Sequence, residues 1–184
     1  MSQENAIPNS LDILLEQADT CFAQKDHAGA IPLLEKALEL TNNHPTILAA
    51  LGTQLFLTDH YKRASEVFGE LTKIEPENTE AHIQLAIASY HNGDSNSCSN
   101  SLNSALDLDP SNADALRLSA DLSVAEGHYE EARQKYQEIA EKHGISVQSL
   151  HALAYCQFKT GDYARAENTY EQLLEFDAKD DLAH

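Results

Sequence analysis

Residues 123–144, SVAEGHYEEARQKYQEIAEKHG, and residues 156–179, CQFKTGDYARAENTYEQLLEFDAK, read as two versions of one unit. Residues 90–112, YHNGDSNSCSNSLNSALDLDPSN, read as a third. Gly93, Gly127 and Gly161 fall at matching points and are 34 residues apart. A fixed period of this length is the signature of stacked supersecondary units. Carried in both directions it frames five repeats without insertion or deletion: 11–44, 45–78, 79–112, 113–146 and 147–180.

The columns of that frame test it. The eighth position holds Ala18, Gly52, Ala86, Ala120 and Ala154, and the twentieth holds Ala30, Ala64, Cys98, Ala132 and Ala166. Both are small in every repeat. The twenty-fourth holds Leu34, Phe68, Leu102, Tyr136 and Tyr170, which are all large. Small residues in register let two helices approach closely, and a large one fills the space beside them.

Each repeat reads as helix, short turn, helix. In LAALGTQLFL (48–57) and IQLAIASY (83–90) the apolar residues recur at helical, not alternating, spacing. The turns carry GD, EGH or TGD, where glycine can end a helix in the left-handed conformation. Pro76 and Pro110 close second helices, and Gly144 takes the same place in repeat four. Pro32 lies early in the second helix of repeat one, which predicts that this helix begins late, after Gly29.

This pattern resembles the tetratricopeptide repeat, with small residues at positions eight and twenty and proline near thirty-two. The resemblance implies an all-α, right-handed solenoid whose concave face is built mainly from first helices. Repeat one departs from it with Gln17 where leucine is usual. Repeat three departs with Ser95 in place of an aromatic, and has no lysine or arginine, which marks it as the softest of the five. Residues 1–10 are expected to be a flexible segment and 181–184 a short stub.

Composition narrows the function. Thirty acidic and 12 basic side chains give a net charge of −18. Such a field repels phosphate backbones and anionic lipid, so nucleic acid and acidic membrane surfaces are not expected as partners. No stretch approaches the roughly 18 uninterrupted apolar residues of a membrane span, so direct membrane insertion is not expected either. The start, MSQENAIPNS, has neither the basic nor the apolar region of a secretory signal. Cys21, Cys98 and Cys156 are widely spaced and odd in number, which suits a reducing cytoplasm. A cytoplasmic location is the resulting expectation.

Signals for chemistry are missing. None of the nine histidines forms HExxH or a close His/Cys cluster. No GxSxG, GxGxxG or phosphate-cradling GxxxxGK[ST] occurs. The cysteines fall where packing is expected, and the carboxylates scatter along second helices. No catalytic residue, metal or cofactor is predicted, and the chain is not expected to be an enzyme.

The resemblance implies that a groove is lined by positions two, five, nine, twelve and thirteen of each repeat. Carried onto this chain, the candidate partner-binding residues are Phe56, Ile83, Ile87, Tyr90, Arg117, Asp121, Val124, His151, Tyr155 and Phe158. Repeat one contributes Leu15, Asp19 and Phe22 at the corresponding positions. Phe56, Ile83, Ile87 and Tyr90 are expected to form an apolar stretch, with Arg117 and His151 beyond it. Aromatics beside an arginine are common at binding hot spots. The lysine and asparagine with which family members grip a peptide carboxylate, at positions five and nine, have no counterpart in any repeat.

These observations point to a scaffold or adaptor that holds a peptide or helix of a partner protein. Two alternatives are the recognition module at the head of a larger enzyme, such as a glycosyltransferase or methyltransferase, and a secretion-type chaperone. Repeat five ends with Leu173, Leu174 and Phe176, and a terminal repeat with apolar surface invites association. Leu174 and Phe176 are therefore candidate residues for self-association into a homo-oligomer.

Overall fold

A computed structural model describes the backbone of residues 7–144 and 146–180, and the side chains of 10–144 and 146–175. Phe176 lies outside the described side chains, and the stub at 181–184 outside the described residues. Among the described residues, ten helices run in chain order: α1 Ile7–Ala23, α2 His27–Thr41, α3 Pro45–Leu57, α4 Tyr61–Ile74, α5 Thr79–His91, α6 Ser95–Leu108, α7 Ala113–Ala125, α8 Tyr129–His143, α9 Val147–Lys159 and α10 Tyr163–Asp180. There is no strand among the described residues. The fold is an all-α helical repeat. None of the helices described is long and apolar enough to cross a membrane.

First helices α3, α5, α7 and α9 are each 13 residues long and start 34 residues apart. Side-chain caps fix several of these starts. Asn78, Asn112 and Ser146 accept hydrogen bonds from the backbone N–H groups of Ala81, Ala115 and Ser149, at 3.0, 3.1 and 3.1 Å. Each satisfies a donor that the first turn leaves without a partner. The turns between helices use the left-handed conformation at Gly93, Gly127 and Gly161. Repeats one and two put Lys25 and Asp59 into that conformation at the same position.

The chain divides into two compact units, Met1–Leu108 and Asp109–His184. In the first, consecutive helices from α1 to α6 pack side by side; in the second, those from α7 to α10 do. The core of the first unit gathers Leu34, Leu48, Leu51, Leu55, Phe68 and Leu71 around Ala18, Ala37 and Ala64. The two small columns are buried in all five repeats. Gly52 shows why its column is small: a Cβ there would lie 2.7 Å from the Phe68 ring.

Two expectations about repeat one change. Helix α2 begins at His27 and carries Pro32 inside it, rather than starting after Gly29. Asp26 accepts from the Gly29 N–H at 2.9 Å and so caps the helix early. Pro32 is exposed, so the carbonyl it leaves unpaired one turn back, on exposed Ala28, can turn to water. Helix α1 begins at Ile7, four residues before the repeat frame does.

Candidate functional site

The first helices border a cavity in each unit. In the first unit, α1, α2 and α3 enclose about 400 Å³ lined by Leu11, Leu15, Phe22, Leu34 and Ile47, with Asp19, Thr41 and His44 among the polar residues. Leu15, Asp19 and Phe22 are spaced along one face of α1, because residues three and four apart are neighbours on a helix. The space is open because Ala18 and Ala50 are small where α1 and α3 face it. This is an apolar cavity with one carboxylate on its wall.

In the second unit, the cavity that α7 borders is polar. About 300 Å³ between α7, α8 and α9 is lined by Arg117, Asp121, Tyr136, Ile139, Ser146, Gln148, Ser149 and Ala152. Tyr136 is buried as a core residue, and its hydroxyl needs a partner there. Asp121 supplies it by accepting the Tyr136 O–H. Burial first, and the Asp121 bond second, push the Tyr136 phenol well above its ordinary pKa, so it remains a donor. The bond holds the carboxylate against the cavity wall. Arg117 lies 3.5 Å from Asp114 and 3.6 Å from Asp121 and is half exposed, so its guanidinium retains donors for a ligand. A fork of donors beside a fixed carboxylate suits a polar backbone or side-chain group.

Of the other candidates, Ile83 is only 3% exposed. The expected apolar stretch is therefore not one open surface. Helix α5 packs against both α4 and α6, and Ile83 is buried along with Ala81, Ala86 and Ala88. Ile87 and Val124 are half-buried. Phe56 is half-buried among rings, 5.3 Å from Tyr61 and 5.2 Å from His91. Tyr90 is exposed and meets His91 edge-on at 5.7 Å. Both aromatics thus join one cluster centred on His91.

In the second unit, His151 is exposed and 6.3 Å from the Tyr170 ring. Tyr155 packs edge-on against Tyr129 at 6.0 Å, and the Lys159 ammonium lies 5.5 Å from its centroid. Phe158 is exposed and pairs with Tyr163. Arg117 and Asp121 line one cavity, whereas His151, Tyr155 and Phe158 lie on α9 outside its lining. Leu174 is exposed on α10.

Gln148, at position two of its repeat and so among the positions expected to line the groove, does line the polar cavity. Sequence reasoning missed Ser146 and Ser149 as a wall of it. Ser146 and Ser149 form a reciprocal cap, each side chain bonding the other's backbone N–H, and only the fold brings that cap beside Arg117. No group of three or more His, Cys, Asp or Glu side chains among the described residues could hold a metal ion.

A family model described as tetratricopeptide repeat matches residues 22–74, 55–122 and 123–184. A comparison with curated proteins finds no match. Among solved structures, a MamA protein from Desulfovibrio magneticus RS-1, residues 41 to its end, is 16% identical with a TM-score of 0.86, covering 95% of this chain and 98% of that one. A tetratricopeptide repeat protein from Parabacteroides merdae is 20% identical with a TM-score of 0.85, covering 94% of this chain and 68% of that one. YrrB, described as a tetratricopeptide repeat protein with an unusual peptide-binding site, is 15% identical with a TM-score of 0.74, covering 92% and 91%.

Proposed function

The chain belongs to the tetratricopeptide repeat family, and we propose that it is a protein-interaction scaffold that holds partner peptides against its first helices. The observation that carries this reading is the pair of cavities on those helices, apolar beside Phe22 and polar beside Arg117. An apolar hollow accepts a large side chain of a peptide. The Arg117–Asp121 pair engages peptide carbonyls, amides or a side-chain carboxylate, which fixes register. Peptide binding by YrrB, a fold relative, is consistent with such use. The net charge of −18 favours peptides with basic residues by steering their approach.

Selection of random peptides displayed on phage, followed by affinity measurement, tests this reading. Phe22→Ala or Arg117→Ala should weaken selected peptides by about 10- to 100-fold if these are anchors, with the circular dichroism unchanged. Glu130→Gln with Glu131→Gln, on a second helix, should change mainly the salt dependence of association. Loss of binding in that double variant, with both cavity variants at wild-type affinity, would overturn the assignment.

A further inference from the structure

A third hollow lies between second helices of the second unit. It holds about 580 Å³ between α8 and α10, with α9 as its floor. Arg133 and Gln137 come from α8, Gln157 from α9, and Arg165, Asn168 and Thr169 from α10. Residues 165, 168 and 169 share one face of α10, the face turned back towards α8 and α9. The hollow is therefore walled on both sides, between repeats four and five. No carboxylate is among its described lining residues, although the chain as a whole carries a net charge of −18.

The same place between repeats one and two is closed by an ion pair. Arg63, at position 19 of repeat two, meets Glu35, at position 25 of repeat one. Arg165 is at position 19 of repeat five, but position 25 of repeat four is Gln137, and position 21 adds Arg133 where repeat one has Ile31. At these three positions the other two joins carry Ser65, Gly69 and Ser97, and Ser99, Asn103 and Glu131. Two arginines with no acid opposite them occur at one join alone.

The arginines are held from the rim. Glu130, one turn before Arg133, accepts from its Nε and from one Nη, which leaves three of its five N–H donors. Asp162 lies 3.2 Å from Arg165, whose side chain is 66% exposed, and an ion pair so open to water is weak. The floor supplies a further donor. Gln157 is 6% exposed, and its Oε1 accepts from the Thr169 hydroxyl at 2.9 Å. That bond fixes the amide and leaves its Nε2 donors for the hollow it lines. Donors so deeply placed favour a ligand that accepts.

We propose that Arg133, Arg165 and the Gln157 amide form a binding site for a single carboxylate of a partner peptide, separate from the two first-helix cavities. Guanidinium forks match a planar carboxylate in two parallel bonds. The carboxylate takes the role opposite Arg165 that Glu35 plays opposite Arg63. Glu130 and Asp162 at the rim repel a phosphate dianion more than a monoanion, and the net charge of the chain disfavours a run of acidic residues.

The test titrates the isotope-labelled full chain with small probes and follows the Gln157 side-chain amide and the Arg133 Nε–H by NMR. Acetylglycine offers a carboxylate at a chain end, and acetylaspartic acid amide offers one on a side chain. Acetylglycinamide and inorganic phosphate are the controls. At least one carboxylate probe should saturate these shifts in the millimolar range, and the tighter of the two identifies the source. Both controls should bind about 10-fold more weakly or not at all. Arg165→Gln, and Gln137→Glu, which places an acid opposite Arg165, should each weaken the carboxylate by about 10-fold or more. Phe22→Ala and Arg117→Ala should leave it unchanged, so this site stands or falls independently of the first-helix cavities. Shifts that never saturate, a control that binds as tightly as the carboxylates, or an affinity that survives either Arg165→Gln or Gln137→Glu would overturn the proposal.

Discussion

Lys25 and Asp59 hold φ values of 57° and 61°, in the region that Gly93, Gly127 and Gly161 occupy in the other turns. A side chain in that region costs roughly 1–2 kcal/mol, and glycine returns about 0.5–1 kcal/mol of it through the unfolded chain. Lys25→Gly should therefore stabilise the protein by up to about 1 kcal/mol, and Gly127→Ala should destabilise it by a similar amount, both read from denaturant midpoints. Cys156 offers a second check. Burial raises its thiol to about 11, so little thiolate exists near neutral pH. Alkylation of the folded protein should reach half-buried Cys21 first, with Cys156 reacting appreciably only as pH approaches that value. What the sequence carries at this scale is uneven. Glycine announced three turns because it is the residue that fits them, whereas Lys25 and Asp59 carry no such mark. Asp121 read as a groove residue from its position alone. Its bond to Tyr136 depends on a side chain 15 residues away and became visible only in the fold.

At the scale of the helix pair, close approach sets the constraints. Gly52→Ala gains up to about 1 kcal/mol of helix propensity but forces its Cβ to 2.7 Å from the buried Phe68 ring. Overpacking of this kind costs about 1–3 kcal/mol, so the net effect should be destabilising. Thermal melts should show this loss, and Phe68→Leu in the same chain should recover part of it. The small columns and the 34-residue period were legible because helix packing leaves them little freedom. The start of α2 was not, because the Asp26 cap outweighs the proline warning when the ring points to solvent. The burial of Ile83 was not either: a position inside one helix says which face it is on, but not how much of that face two neighbouring helices cover.

For the molecule as a whole, the division after Leu108 falls close to the join of repeats three and four. Repeat arrays lose stability locally, since each repeat depends on its neighbours. Native-state hydrogen exchange should accordingly show the two units opening with distinct free energies, and repeat three should be the least protected interior repeat. Uniform protection throughout would contradict that.

Hydrogen exchange of a complex is the direct test of the proposed binding surface on the first helices. With a phage-selected peptide bound, added protection should concentrate in α1 and α3, or in α7 and α9, at the segments lining the two cavities. Protection confined to the second helices α2, α4, α6 and α8, with the first helices unchanged, would contradict it.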